Sequence, residues 1–233
     1  MTEPLPPICI LAGGLGSRLG STVGDTPKPL LEVAGEPFLI HQLRLLARYG
    51  ARTVVLCVGY LGELIEQRIG AGRFGISIRY SYDGPSLIGT LGAVRQAVPL
   101  LGERFMVLYG DTYLRIDYAD VARVWRDSGL PAVMTVLRNA GRWDTSNADF
   151  NGRLVRYAKR RPDPSMEWID YGLGGLVSEA LDAVGPETSD LADLYEVLSA
   201  TDALVGYEAT ERFYEIGTPE ALRETQRFLE AGG

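Results

Sequence analysis

The chain has 233 residues, of which 46% are hydrophobic, and this supports one domain with a sizeable core. Its formal net charge is −7 and no basic face is apparent, so we expect neither nucleic acid nor an acidic membrane as a partner. Cys9 and Cys57 lie in apolar runs and are predicted to be buried thiols in a reducing compartment, while a single histidine excludes a zinc site. No segment approaches a membrane span and residues 1–7 lack an apolar leader core, which predicts a cytoplasmic protein.

The first half of the chain alternates predicted strands and helices. Short apolar runs predict buried strands, and helical periodicity between them predicts helices. The predicted strands are 8–11, 53–58, 76–80 and 105–109, and the predicted helices are 37–49, 61–69, 90–98 and 118–128. This order is typical of a mainly parallel sheet with helices on both faces. Ligands of such sheets bind at the carboxyl ends of the strands, where Gly13, residues 82–83 and Asp111 fall.

The second half of the chain has shorter and more irregular elements. We predict strands at 132–137, 170–177, 204–208 and 213–216, a hairpin at 148–157 around Asn151-Gly152, and helices at 178–184 and 190–199. Thr218 is predicted to cap a final helix with Pro219 at its first position. No linker separates the halves, so we expect one domain over residues 1–233 with two lobes, about 8–130 and 131–233.

The most informative motif is the stretch at 11–30, LAGGLGSRLGSTVGDTPKPL, which follows the first predicted strand. Glycines allow a sharp turn, and successive backbone N–H groups in such a turn form an anion-binding nest. The residues predicted to supply these N–H groups are Gly13, Gly14, Gly16 and Ser17. Arg18 adds a fork of donors suited to phosphate. Thr26 and Lys28 each precede a proline, which predicts extended backbone and a fixed direction for the Lys28 ammonium group.

Two widespread phosphate loops do not match this stretch. The dinucleotide motif GxGxxG, started at Gly14, requires a glycine where the chain has Leu19, and the P-loop requires Gly-Lys-Ser/Thr after its glycines. The pattern GGxGxRL followed by PKP and LLEVAGEPFL instead resembles the sugar-nucleotide pyrophosphorylases, also called sugar-1-phosphate nucleotidyltransferases. The resemblance implies a Rossmann-like α/β nucleotide-diphospho-sugar transferase fold. Nucleotide is expected in the first lobe and sugar phosphate in the second, with no left-handed β-helix domain in these residues.

The resemblance also implies the reaction. A nucleoside monophosphate passes from an NTP to a sugar 1-phosphate, pyrophosphate is released, and the NDP-sugar serves the synthesis of cell-surface polysaccharide or glycoconjugates. Positioning and charge stabilisation dominate such a transfer, so Arg18, Lys28 and Asp111 are the predicted catalytic residues. The stretches WDTSN and IDYGLGGL look like the heptose-1-phosphate guanylyltransferase branch, which implies GDP-heptose or GDP-hexose as the product.

Lysine is rare in this chain, since Lys28 and Lys159 are the only lysines among 23 basic residues. If this chain uses arginine wherever either residue will serve, the remaining lysines mark positions that need the compact ammonium charge rather than the planar guanidinium group. Lys28 lies in the PKP motif, and Lys159 lies where the resembling family keeps a lysine for the sugar phosphate.

Magnesium is the expected cofactor, held by one or two carboxylates together with phosphate oxygens. Asp111 follows a buried strand and Gly110, which directs it to the ligand edge of the sheet. The family places a second aspartate before Gly-Thr-Pro near the C-terminus, and Glu215 stands there in this chain. A solvated turn aspartate and a surface glutamate remain the alternative interpretations of these two residues.

The nucleobase is expected between the first strand and the segment at 82–92. The predicted nucleotide-binding residues of this region are Leu11, Ala12, Tyr82, Asp83, Gly89 and Thr90. One carboxylate accepts both donors of guanine, so Asp83 favours that base, whereas uracil or thymine would suit an amide better. A simple turn role for Asp83 before Gly84 stays open. Leu91 replaces a small residue of the family's loop and bears on the shape of the base pocket.

The acceptor is expected in the second lobe. The candidate sugar-phosphate-binding residues are Asn147, Lys159, Asp170, Tyr171 and Gly172. The expected partners are thus an NTP and a sugar 1-phosphate, and the sequence leaves a homo-oligomer open. Three alternatives remain: a uridylyl- or thymidylyltransferase of the same family, a non-catalytic regulatory homologue, and a cytidylyltransferase for small alcohol phosphates, against which the PKP segment argues.

Overall fold

The computed structural model describes residues 4–14, 26–139 and 141–233. The strands of these residues are β1 (Ile8–Leu11), β2 (Glu32–Val33), β3 (Glu36–Pro37), β4 (Thr53–Val58), β5 (Gly72–Arg73), β6 (Ile76–Tyr82), β7 (Arg104–Tyr109), β8 (Thr112–Tyr113), β9 (Ala132–Arg138), β10 (Ala148–Phe150), β11 (Val155–Tyr157), β12 (Trp168–Val177), β13 (Leu204–Ala209) and β14 (Tyr214–Glu215). The helices are α1 (Phe38–Arg48), α2 (Gly62–Ile69), α3 (Gly89–Leu101), α4 (Tyr118–Ser128), α5 (Leu191–Ala200) and α6 (Pro219–Glu230), with 3-10 helices at Lys28–Leu30 and Ser178–Ala183.

A large mixed sheet organises the described residues. Its strand order is β11-β10-β12-β7-β1-β4-β6-β5, with β9 beside β12 and β13 beside β9. The central strands β7, β1, β4 and β6 are parallel, and Ile8 of β1 is in register with Val54 on one side and Met106 on the other. Strand β12 pairs antiparallel with β7, so the two halves of the chain share one sheet. The α/β fold expected from the sequence is confirmed.

The centre of the sheet is buried on both faces because β1, β4 and β7 are almost entirely apolar. Ile8 and Ile10 of β1 pack with α1, α2 and α4 on one face, whereas Cys9 packs with α3 and α5 on the other. The predicted burial of both cysteines is confirmed, and the Sγ atoms of Cys9 and Cys57 lie 3.3 Å apart. Alternation of this kind is what a strand buried between two helical layers requires.

Most element boundaries agree with the sequence prediction, and the exceptions have local causes. Helix α3 continues past Pro99 to Leu101, because a proline in the last turn removes only one intrahelical hydrogen bond there. Strands β2, β3, β5 and β8 have two residues each, too few to show a period in the sequence. Among the described residues, no helix is both long enough and apolar enough to cross a bilayer.

A smaller apolar cluster fixes the C-terminal segment against the sheet edge. Val33, Phe38, Tyr113 and Ile216 form its buried centre, against which α6 packs. As predicted, Thr218 caps α6, its hydroxyl oxygen accepting the backbone N–H of Ala221 at 3.2 Å. This packing brings β14 alongside β8, directly after the end of β7.

Candidate active site

A cavity of about 340 Å³ opens at the carboxyl ends of β1, β4 and β7. Nine of its sixteen lining residues were predicted to be catalytic or nucleotide-binding residues. The lining residues are Leu11, Ala12, Gly13, Gly14, Lys28, Pro29, Cys57, Asp83, Leu87, Gly89, Thr90, Ala93, Tyr109, Gly110, Asp111 and Gly217. The cavity therefore lies where open parallel sheets bind their ligands.

Close backbone contacts build the floor of this cavity. The N–H of Gly110 donates to the carbonyl of Leu11 at 3.0 Å, and a Cβ at Gly110 would lie 2.6 Å from that carbonyl oxygen. A Cβ at Gly13 would lie 3.1 Å from the nitrogen of Gly59. Any side chain at Gly110 would thus force the backbone segments apart, and glycine lets the strand ends converge.

Lys28 and Asp111 form an ion pair at the cavity wall, with 2.6 Å between Nζ and Oδ2. The exposed fractions of the two side chains are 11% and 29%, so the pair is partly withdrawn from water. The prediction of extended backbone at Lys28 is wrong: the residue begins a 3-10 helix, and the extended residue is Pro27. A proline such as Pro29 disfavours helical backbone at the residue before it but does not forbid it. Here the hydrogen bond from Leu31 N–H to the Lys28 carbonyl, at 3.1 Å, stabilises the helical turn.

Gln42 of α1 holds the turn that carries Asp111. Its buried side-chain amide donates to the carbonyls of Tyr109 at 3.0 Å and Thr112 at 2.7 Å, on either side of Gly110-Asp111. The Thr112 hydroxyl donates to Asp111 Oδ1 at 3.1 Å. The Asp111 carboxylate is therefore fixed by its own backbone turn and by two neighbouring side chains.

Glu215 lies beside Asp111 through strand pairing. Glu215 is in register with Thr112, and the N–H of Ile216 donates to the carbonyl of Asp111 at 3.0 Å. A Cβ at Gly217, which lines the cavity, would lie 2.9 Å from Glu215 Oε2. Within the described ranges, no group of three or more His, Cys, Asp or Glu side chains could hold a metal ion. Protein ligation of a cation here would rest on these two carboxylates.

On the nucleotide side, Asp83 reaches the cavity and Tyr82 does not line it. The Asp83 carboxylate accepts a backbone N–H from Ile88, and burial raises its pKa above the ordinary range. The Tyr82 hydroxyl instead donates to Glu66 of α2. Leu91 of α3 is fully buried in the core and does not line the cavity, so it does not shape the base pocket as we expected.

Gly89 and Thr90 line the cavity at the start of α3, as predicted. The Thr90 Oγ1 atom accepts the backbone N–H of Leu191 at 2.8 Å and so joins α3 to the start of α5. Gly89 has a positive φ of +78°, a conformation that side chains disfavour.

The predicted acceptor residues lie outside this cavity lining. Asn147 Oδ1 accepts the N–H of Asp170 at 3.0 Å, and Asp170 Oδ1 accepts the N–H of Gly172 at 2.9 Å. Burial raises the pKa of Asp170 to about 6. Lys159 Nζ lies 3.9 Å from Asp190 Oδ1, and the exposed fractions of the two side chains are 50% and 38%. These side chains form a second polar group beside the cavity.

Tyr171 is placed differently from its neighbours because side chains alternate along a strand. It is 1% exposed, packs against Phe213 in the core, and its hydroxyl has no hydrogen-bond partner. A sugar contact by the Tyr171 phenol is therefore not supported by the structure.

The sequence analysis did not single out several lining residues. Tyr109 is the most informative of them, because it ends β7 and its ring carbon Cδ2 lies 3.7 Å from the Cβ position of Gly172. Its place at the end of a predicted strand was a usable signal. Three other predicted residues, Gly16, Ser17 and Arg18, lie outside the described residues.

The parallel centre of the sheet and the glycine-lined cavity at its carboxyl edge define an α/β domain of the kind that binds its ligands at the strand ends. The chain belongs to the MobA-like NTP transferase family, whose sequence model matches residues 8–206, and to the sugar-1-phosphate nucleotidyltransferases within it. The family resemblance seen in the sequence is therefore confirmed.

Two relatives are similar over nearly their whole length. A D-glycero-α-D-manno-heptose 1-phosphate guanylyltransferase of Aneurinibacillus thermoaerophilus is 39% identical over 95% of this chain and 97% of the relative. An N-acetylmuramate α-1-phosphate uridylyltransferase of Neisseria meningitidis serogroup B is 31% identical over 93% of this chain and 95% of the relative. HddC from Yersinia pseudotuberculosis has a similar fold, with a TM-score of 0.78, 21% identity and coverage of 97% of this chain and 100% of that one.

Proposed function

We propose that this protein transfers a nucleoside monophosphate from an NTP to a sugar 1-phosphate, releasing pyrophosphate and making an NDP-sugar. The observation that carries the proposal is the Lys28–Asp111 ion pair, which borders a glycine-lined cavity at the carboxyl edge of the sheet. A fixed ammonium group at the strand ends is suited to phosphate oxygens.

The side chains have little covalent work in such a reaction. An acceptor phosphate oxygen attacks the α-phosphorus of the NTP in line with the leaving pyrophosphate, so alignment and charge stabilisation supply the rate. Lys28 is suited to neutralise phosphate oxygens, since its ammonium is a compact point charge. Gln42 and Thr112, which do not line the cavity, hold Asp111 in place.

Magnesium fits the carboxylates of this site. Mg²⁺ is usually bound by one or two carboxylates together with substrate phosphates rather than by a cage of protein ligands. Asp111, in the turn directly before β8, and Glu215, on the paired strand β14, supply that number. When bound, the ion would neutralise the phosphates and so favour attack at the α-phosphorus.

Guanine is the base that the site favours. The Asp83 carboxylate faces the cavity and accepts one backbone N–H, which leaves acceptor capacity for the two adjacent donors of guanine. The 39% identical relative named a guanylyltransferase agrees with this choice. The uridylyltransferase from Neisseria meningitidis, at 31% identity, supports UTP as the second candidate.

The acceptor is proposed to be a heptose or hexose 1-phosphate, for the synthesis of a cell-surface polysaccharide or glycoconjugate. Asn147, Asp170 and the Gly172 backbone supply polar groups beside Tyr109, at the edge where β7 ends. Lys159 lies close by and is suited to the acceptor phosphate.

The test is pyrophosphate release by the purified protein across a grid of NTPs and sugar 1-phosphates with magnesium present. We expect turnover with GTP and a heptose or hexose 1-phosphate, and loss of it in Lys28→Ala. Turnover with UTP or dTTP alone would refute the guanine assignment. Nucleotide binding without turnover on any acceptor would favour a non-catalytic sugar-nucleotide-binding protein.

A further inference from the structure

The guanidinium of Arg95 is surrounded by backbone carbonyls of one turn, at 181–188. Arg95 is half-buried on α3 and does not line the cavity. Its Nη1 atom donates to the carbonyls of Pro186 at 3.3 Å and Thr188 at 2.9 Å. Its Nη2 atom lies 3.0–3.1 Å from those of Leu181, Val184 and Gly185. One side chain thus fixes a turn that has no regular secondary structure after Ala183.

That turn leads directly into contacts with the start of α3. The carbonyl of Ser189 accepts the N–H of Leu91 at 2.8 Å, and a Cβ at Gly89 would lie 2.4 Å from the same oxygen. The Thr90 hydroxyl also lies 3.4 Å from Asp190 Oδ1. The cavity wall at Gly89 and Thr90 is therefore set by a segment that Arg95 holds.

We infer that Arg95 is a positioning residue for the nucleotide, acting through the 181–190 segment on Gly89 and Thr90. The inference rests on the proposed nucleotide binding in this cavity. A guanidinium presents five donors in a planar fork, whereas an ammonium presents three donors at one point. Lysine at this position would leave several of the carbonyls without their charged donor, and the wall would lose its fixed place.

Replacement of Arg95 is expected to affect nucleotide binding and acceptor binding to different extents. The carbonyl of Ser189 accepts the N–H of Leu91 at 2.8 Å, and Leu191, directly after the segment, donates its N–H to Thr90 Oγ1 at 2.8 Å. Lys159, by contrast, meets the segment only through an exposed ion pair, with 3.9 Å between its Nζ and Asp190 Oδ1. Ion pairs of the latter kind hold geometry weakly. Nucleotide affinity is thus expected to change more than the KM for the acceptor.

The experiment is calorimetric titration of GTP, UTP and dTTP into the wild type, Arg95→Lys and Arg68→Lys. Arg68 is an exposed arginine on α2 and serves as the matched control. We expect Arg95→Lys to raise the Kd of the bound nucleotide about tenfold, the scale of a small misplacement in a site, and Arg68→Lys to leave it unchanged. Equal Kd values in wild type and Arg95→Lys would overturn the inference, whereas a wild type that binds no nucleotide would overturn the proposed function.

A rescue experiment distinguishes positioning from general destabilisation. In Arg95→Ala, methylguanidinium at millimolar concentration is expected to occupy the space between the carbonyls and to tighten nucleotide binding. It should have no such effect on the wild type. Failure to tighten binding in a folded Arg95→Ala would overturn the inference, and if that variant does not fold, the titration of Arg95→Lys decides.

Discussion

The nucleotide side and the acceptor side of the candidate active site differ in how well the sequence predicts their residues. On the nucleotide side, nine predicted residues line the cavity: Leu11, Ala12, Gly13, Gly14, Lys28, Asp83, Gly89, Thr90 and Asp111. On the acceptor side, none of the five predicted residues does so. The nucleotide side is built from parallel strands whose carboxyl ends share one edge, whereas the acceptor side begins an antiparallel strand at that edge.

Tyr109 marks the border between these two sides. It lines the cavity, and its ring packs against the Gly172 position in the middle of β12. Asp170 lies near enough that its charge helps to raise the pKa of Tyr109, although burial is the larger cause. The comparison predicts that changes at the two sides will affect different substrates, and each test below can break that separation.

The largest effect is expected from Asp111→Asn, which keeps the shape of the side chain and removes its charge. We expect kcat to fall about a hundred- to a thousandfold, because the proposed magnesium ion, which would neutralise the phosphates, loses a carboxylate ligand. The measurement is pyrophosphate release against magnesium concentration, with the exposed Asp127→Asn on α4 as control. Unchanged turnover at limiting magnesium would remove Asp111 from the mechanism.

The next effect compares the two lysines. Lys28→Ala leaves the Asp111 carboxylate without its 2.6 Å partner, so we expect roughly a hundredfold loss in kcat/KM for the NTP. Lys159→Ala should raise the KM for the sugar 1-phosphate by about threefold to tenfold, since its side chain is half-exposed. Steady-state kinetics with each substrate varied decides the point. An equal effect of both variants on both substrates would contradict the division into two sides.

A smaller effect concerns stability at the cavity floor. An alanine Cβ at Gly110 would meet the Leu11 carbonyl at 2.6 Å, so Gly110→Ala should cost about 1–3 kcal/mol of unfolding free energy. Gly14→Ala has nothing within 4 Å of its Cβ and should leave stability unchanged. Urea unfolding of both variants measures the difference. Equal stabilities would show that the strand ends can separate without cost.

The smallest effect is a pH dependence on the acceptor side. Burial raises the pKa of Asp170 to about 6. At a pH between the pKa of this group in the unfolded chain and its pKa in the folded protein, the folded state therefore binds more protons than the unfolded state. The contribution of this group to stability is present at low pH and is lost as the pH rises through 6. Asp170→Asn should therefore be more stable than wild type by about 1 kcal/mol at pH 7–8, and the gain should shrink toward pH 4.5.

Thermal unfolding across this pH range tests the sign. Asp163→Asn is the opposite control, because the hydroxyl and backbone N–H of Ser165 lower the pKa of Asp163. A gain from Asp170→Asn that grows as the pH falls would contradict the assigned cause.

Local patterns predicted most of the fold, because the long elements carry clear periods in the sequence. Helix α4 occupies the predicted residues 118–128, and the Asn151-Gly152 hairpin lies between β10 and β11. The sequence did not show that β12 pairs with both β7 and β9, since strand order depends on packing between distant segments.

The candidate site divides in the same way. Gly13, Asp83 and Asp111 could be placed because each follows a strand of a parallel sheet. The role of Arg95 could not be predicted, because its carbonyl partners lie about 90 residues away in the chain and carry no side-chain signal. Tyr171 was predicted to bind sugar because its residue type suits that role, but the alternation of side chains along β12 places its ring in the core.

The central claim is that nucleotide binds on one side of Tyr109 and acceptor on the other. Hydrogen–deuterium exchange by mass spectrometry, with NTP and magnesium alone and then with the non-reacting product NDP-sugar, tests it most directly. With NTP alone we predict slower exchange at residues 11–14, 83–91 and 110–112, and with NDP-sugar additional protection at 147–172. Protection at 147–172 with NTP alone, and none at 11–14, would contradict the account.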